Sequence, residues 1–117
     1  VARLALYRHG ALGESFEQIA GDGAGMVVAY QEVAYGAPIG KEVSEVDIAT
    51  WVTRVGRTSF DVAYGVHAND QECAIAVTSM VLVDIASGRP QKIDDRARLI
   101  LEHFAGPPID VRARRVG

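Results

Sequence analysis

The chain of 117 residues contains a single cysteine, Cys73, so no disulfide can form within it. That excludes the small disulfide-built domains of the secretory route, which are stapled because their cores are small. Long apolar runs are also missing, since none approaches the ~20 residues a helix needs to cross a bilayer. Positive charge is not in excess. Twelve Lys and Arg against fifteen Asp and Glu leave a net charge of −3, which argues against broad nucleic-acid binding through a basic face. No signal-peptide pattern is found, because Arg3 and Arg8 fall inside a helical pattern without a cleavage site. These absences predict a cytoplasmic protein that neither spans a membrane nor binds nucleic acid.

Chemical motifs are scarce as well. His9, His67, His103 and Cys73 lack the spacing that assembles a metal site, so no metal is expected. There is no P-loop, and Gly21-Asp22-Gly23-Ala24-Gly25 follows a helical pattern rather than a strand, which rules out a dinucleotide fingerprint. The Arg112 to Arg115 stretch is locally basic and reads as a solvated end.

What is present is an ordinary folded composition, 49% hydrophobic and 23% charged. No repeat, linker or low-complexity segment divides residues 1–117, so a single domain is expected. Leu4, Tyr7, Ala11, Leu12, Phe16 and Ile19 recur at helical spacing and predict a helix from about Val1 to Ala20, stopped by Gly21-Asp22-Gly23. Val1 is not Met, and no Ser, Thr, Asp or Asn precedes this pattern as a cap. Both features predict that the native chain begins upstream.

From Gly25 the period becomes extended. Met26 to Tyr35 form one strand, ended at Gly36-Ala37-Pro38. Val46 to Val55 and Phe60 to Val66 alternate with period two, as strands with one buried face do. Asp47 and Asp61 fall on the other face and are expected at the surface. Ala68-Asn69-Asp70 reads as a turn, and Cys73 to Asp84 as a long strand whose Ala74, Ala76 and Thr78 oppose Ile75 and Val77. Asp84 is expected to organise the Ser87-Gly88-Arg89-Pro90 loop. Asp94 or Asp95 then caps a short helix with Leu99, Ile100, Leu101 and Phe104 on its apolar side, stopped by Gly106-Pro107-Pro108. The order helix, four strands, helix predicts an α+β fold, one antiparallel sheet packed on the first helix.

The turn Gly56-Arg57-Thr58-Ser59 between two alternating strands stands out. Small residues permit a tight reversal, and an Arg beside two hydroxyls could hold a phosphorylated ligand. The plain alternative is a hairpin corner with a solvated Arg. Trp51 is expected to lie on the sheet, although an exposed Trp would suit an interface or an adenine stack.

Several segments in order resemble the hotdog-fold acyl-CoA thioesterases of the 4-hydroxybenzoyl-CoA and acyl-CoA hydrolase type. They are Gly25 to Ala29 with Tyr35 to Pro38, Val52 to Phe60, and Thr78 to Asp84 with Ser87 to Pro90. The resemblance implies a hotdog fold, with the sheet curled around the first helix and the short helix closing the chain. It implies hydrolysis of an acyl-CoA thioester to free CoA and an acid, assisted by a carboxylate. CoA would enter as part of the substrate with no separate cofactor, and the protein would act as a homodimer or homotetramer.

By the same resemblance Gly56, Arg57, Thr58 and Ser59 would contact the substrate; Tyr35 and Thr78 could line an acyl tunnel, the commoner alternative being a buried Tyr or Thr paired within the core. The family's catalytic Asp lies before its central helix, where this sequence has no counterpart. The catalytic carboxylate is therefore expected upstream of Val1, with Glu14 and Glu17 as candidates on the first helix. A hotdog subunit that binds acyl-CoA or serves assembly without catalysis is the alternative. A hydratase of the same fold ranks lower, because its His and acid motif is not found.

Overall fold

The protein is described by a computed structural model covering residues 23–40 and 45–111. The helix expected from Val1 to Ala20, with Glu14 and Glu17, lies outside the described residues.

Four strands form one antiparallel sheet: β1 (Ala24–Tyr35), β2 (Asp47–Val55), β3 (Ser59–Ala68) and β4 (Gln71–Asp84), in the order β1-β4-β3-β2. The period-two runs read from the sequence fall in these strands. The β3–β4 reversal needs only two residues, because Asn69 and Asp70 take positive φ of 52° and 61°. That left-handed pair matches the twist of the flanking strands, and Asn and Asp tolerate it better than most residues.

Register decides which side chains share a face. Phe60 lies opposite Met80, Val62 opposite Thr78, and Tyr64 opposite Ala76. This face is closed by helix α1 (Asp95–His103), where Val52, Phe60, Val62 and Leu82 meet Ile93, Ala97 and Leu101 in one buried cluster. Burial of each larger side chain contributes about 1.5–3 kcal/mol. The other face holds a smaller cluster of Ala34, Ile75 and Val111, flanked by Val77 and Ile109.

Helix α1 begins where the sequence implies, with the Asp94 carboxylate accepting from the Ala97 amide at 2.7 Å. Its apolar side differs in one residue. Leu99 is 69% exposed, whereas Ala97 and Leu101 are buried. A nine-residue helix lays one i, i+4 row on the sheet, and residue 99 sits on the far side of that row.

After α1 the chain becomes a strap. The Val52 amide donates to the Phe104 carbonyl at 2.8 Å, and the Gly106 amide returns to the Val52 carbonyl at 2.9 Å. The Trp51 indole N–H donates to the Pro107 carbonyl at 2.8 Å. Any Cβ at Gly106 would collide with the Trp51 ring, so glycine is required where the strap crosses it. The strap then delivers Ile109 and Val111 to the second face. Trp51 is thus engaged by its own chain.

The Asp84 carboxylate organises the next loop as expected, accepting from the Ser87 hydroxyl at 2.7 Å and the Ser87 amide at 3.2 Å. Together these elements fit the hotdog sheet with its short closing helix. No helix among the described residues is long and apolar enough to cross a membrane.

Candidate functional site

The β2–β3 turn is fixed from several sides. The Gly56 amide donates to the Ser59 carbonyl at 2.7 Å, closing the reversal. The Thr58 carbonyl accepts from the Leu82 amide at 2.9 Å, and the Arg57 carbonyl accepts from the Ile93 amide at 2.8 Å. From α1, Arg98 Nη2 donates to the Gly56 carbonyl at 2.9 Å. Gly56 is glycine for a steric reason, since a Cβ there would stand 2.6 Å from Arg54 Nη1 and 3.2 Å from the Ser59 carbonyl. With its backbone held, the turn leaves the Arg57 side chain exposed and Thr58 half-buried. The Ser59 hydroxyl accepts from Arg54 Nη2 at 3.0 Å, so its own proton can still be donated.

Behind the turn lies a network that the sequence reading missed. Arg54 grips Asp61 with two nitrogens, Nε to Oδ2 at 2.9 Å and Nη2 to Oδ1 at 3.0 Å. Ser79 adds its hydroxyl to Asp61 Oδ1 at 2.7 Å. Asp61 was expected at the solvent surface, and this is corrected: its side chain is only 19% exposed. The alternation had the face right, but that face is occupied by Arg54, Ser79 and the strap. Burial alone would raise the Asp61 carboxyl, yet the hydrogen bonds from Arg54 and Ser79 and the Arg54 charge outweigh it and hold the group below its ordinary range. The hydrogen bond to Asp61 likewise raises Arg54, against the opposing effect of burial. An aspartate held this way stays ionised at neutral pH and is a weak base.

The remaining candidates are spread along the sheet. Tyr35 is 81% exposed at one end, bordering an apolar cleft of about 390 Å³ with Pro38, Ile39, Val66, Cys73 and Ala74. Thr78 is buried near the middle, and its hydroxyl has no hydrogen-bond partner among the described residues. On β4, Ala74 is the partner of Tyr35 and Val81 the partner of Ser59. At about 3.3 Å per residue, those two positions lie about 23 Å apart along the strand. The structure therefore gathers Gly56, Arg57, Thr58 and Ser59 at one end, sets Tyr35 at the other, and leaves Thr78 between them.

A second cleft, about 220 Å³, opens between the strap and the other sheet face, lined in part by Tyr30, Glu32, Asp61, Ser79 and Asp110. Among the described residues, no group of three or more His, Cys, Asp or Glu is placed to hold a metal ion. One signal for the missed network was available. Arg54 and Asp61 have opposite charge and flank the same turn, so hairpin pairing could have brought them together. Nothing in the spacing of Arg98 pointed to Gly56.

A family model described as the thioesterase-like superfamily matches residues 1–104. No curated protein matches the chain. Among solved structures, a predicted thioesterase from Bacillus stearothermophilus is similar with a TM-score of 0.74 and 24% identity, over 92% of this chain and 83% of that one. A thioesterase from Thermus thermophilus, complexed with coenzyme A and Zn, is 29% identical with a TM-score of 0.62, over 71% of this chain and 62% of that one. A thioesterase-superfamily protein from Jannaschia sp. CCS1 aligns with a TM-score of 0.70 at 16% identity, covering 91% and 80%.

Proposed function

This chain belongs to the thioesterase-like superfamily, and from that premise we propose that it hydrolyses an acyl-CoA thioester to free CoA and a carboxylic acid. Thioester hydrolysis is the chemistry the family membership supports; CoA as the leaving group is our reading. The observation that carries it is the β2–β3 turn, whose backbone is pinned while Arg57 stays exposed beside the Thr58 hydroxyl. A guanidinium meets a phosphate through paired, charge-assisted hydrogen bonds, and a fixed turn loses little freedom on binding. The Thermus thermophilus thioesterase that holds coenzyme A gives the reading a precedent.

In this reading Gly56, Arg57, Thr58 and Ser59 receive the phosphate-bearing end of CoA, and Thr78 and Tyr35 border the acyl path. Water activated by a carboxylate attacks the thioester carbonyl, or the carboxylate itself attacks and water then cleaves the anhydride so formed; in either route the C–S bond breaks, the thiolate leaves as CoA and the acyl group leaves as the acid. Asp61 does not suit that role, because Arg54 and Ser79 occupy it and depress its basicity. Glu14 and Glu17 are the candidates within the chain, and no cofactor is called for. The expected compartment is the cytoplasm.

The same reading includes a homodimer or homotetramer. Among the described residues β1 pairs only with β4, which leaves a twelve-residue edge open. Val27, Val28 and Tyr30 on that strand are each about half exposed. Long apolar edges are normally covered, and a second copy of the same edge is the occupant we assign.

The test is release of free thiol from short, aromatic and long acyl-CoAs. Turnover of any member supports hydrolysis. A flat result across the panel, with measurable affinity for CoA itself, would instead assign a non-catalytic acyl-CoA-binding subunit.

A further inference from the structure

We infer that the acyl group of the substrate carries a hydroxyl or oxo oxygen on its chain, which pairs with the buried Thr78 hydroxyl. The remainder of that chain is aliphatic and lies toward the Tyr35 cleft. This names the substrate class of the reading above and rests on it.

The first observation is a polar atom left without a partner inside the fold. Thr78 is 4% exposed, and among the described residues its hydroxyl is the buried side-chain oxygen that makes no hydrogen bond. Register gives the reason. Val62 lies opposite on β3 and offers no polar atom, while Gln31, opposite on β1, is exposed. Along β4 the neighbours on the same face are Ala76 and Met80, which cannot serve it either. A hydroxyl can donate one proton and accept two, so closing it off from water without a partner is unfavourable.

The second observation is space that leads away from it. Ala74, Ala76 and Thr78 share one face of β4, so small side chains run for about 13 Å along the strand. Larger residues flank this row in register, Tyr64 and Val66 on β3 and Val33 and Tyr35 on β1. Ala74 and Ala76 are only partly buried, whereas Thr78 at the head of the row is closed off. The row ends at the apolar cleft of about 390 Å³ that Tyr35, Val66 and Ala74 line together. No charged side chain lines that cleft.

These features select by chemistry rather than by length. A plain alkyl chain laid along the row leaves the Thr78 hydroxyl sealed and unpaired. An oxygen on the chain restores the missing hydrogen bond, and because Thr both donates and accepts, a hydroxyl or an oxo group serves. A site that presents a buried polar group rejects the analogue lacking its partner far more strongly than an apolar pocket rejects a change of one methylene. A second carboxylate on the acyl group is disfavoured, since neither the row nor the cleft presents a cation to it.

The test compares octanoyl-CoA with its 3-hydroxy, 3-oxo and 5-hydroxy forms by thiol release from the whole chain. The parent should prefer at least one oxygenated form by about ten- to a hundredfold in kcat/KM. Thr78→Val should bring that ratio close to one, and Thr78→Ser should keep most of it. Equal kcat/KM for plain and oxygenated chains in the parent would overturn the proposal. So would a preference that survives Thr78→Val, or a Thr78→Val chain that unfolds more easily in urea, since its hydroxyl would then be satisfied within the fold. Where no thiol is released, the same four compounds are titrated by calorimetry. A Thr78-dependent preference in binding would then end the hydrolysis reading and leave the substrate class standing. Turnover without any preference would do the reverse, and absence of both would overturn both.

Discussion

Arg54 and Asp61 face each other across the β2–β3 hairpin, joined by two near-parallel hydrogen bonds of 2.9 and 3.0 Å. The pair does more than close a hairpin. Arg54 also reaches the Ser59 hydroxyl at 3.0 Å and lies where a side chain at position 56 would stand. It therefore shapes the turn from which Arg57 projects.

Loss of the Asp61 carboxylate should cost stability and flatten the acid side of the stability curve. Asp61 is depressed in the folded chain, so its contribution is present above the ordinary carboxyl value of 3.8 and is lost as pH falls through the lower folded value. Asp61→Asn is expected to unfold about 1–2 kcal/mol more easily at neutral pH, a range set by a half-exposed arginine partner. Below about pH 4 the gap between variant and parent should narrow. Urea titrations at several pH values check this, and a gap that widens on acidification would be incompatible with the pair described.

Thr78 separates folding from binding. Its buried hydroxyl has no partner among the described residues, so Thr78→Val should be neutral or stabilising by up to about 1 kcal/mol. If that hydroxyl borders the acyl path, the variant keeps its stability while KM changes. A clear loss of stability in Thr78→Val would show that the hydroxyl is satisfied in the fold.

The strap reports on itself through the sole tryptophan. Gly106→Ala drives a methyl into the Trp51 ring and should detach the segment that bonds Trp51 to Pro107. Destabilisation of about 1–3 kcal/mol and a red-shifted emission are expected. Unchanged fluorescence and stability would mean that the strap does not lie across Trp51.

The open β1 edge makes a prediction about assembly. Sedimentation of the parent should give a dimer or tetramer, and Val28→Lys should shift it toward monomer, because a charge on an edge strand opposes pairing. A monomeric parent would remove the second copy from the account.

Period-two alternation made the strands legible, and Asn69-Asp70 and Asp94 marked a turn and a cap through chemistry that acts within a few residues. The same patterns could not say what covers a face. Asp61 and Leu99 were each misplaced for that reason: Arg54 and Ser79 close on one, and a short helix turns the other outward. Arg57 was legible as a candidate because its turn is local. Arg98 was not, since its contact with Gly56 spans 42 residues and leaves no trace in spacing.

The most direct test is thiol release from an acyl-CoA by the parent and by Arg57→Ala, each at low and high salt. The account predicts turnover by the parent and a higher KM in the variant, with the difference shrinking as salt rises, because the contact is ionic. No thiol release by the parent, or the same KM in both proteins at every salt concentration, would contradict it.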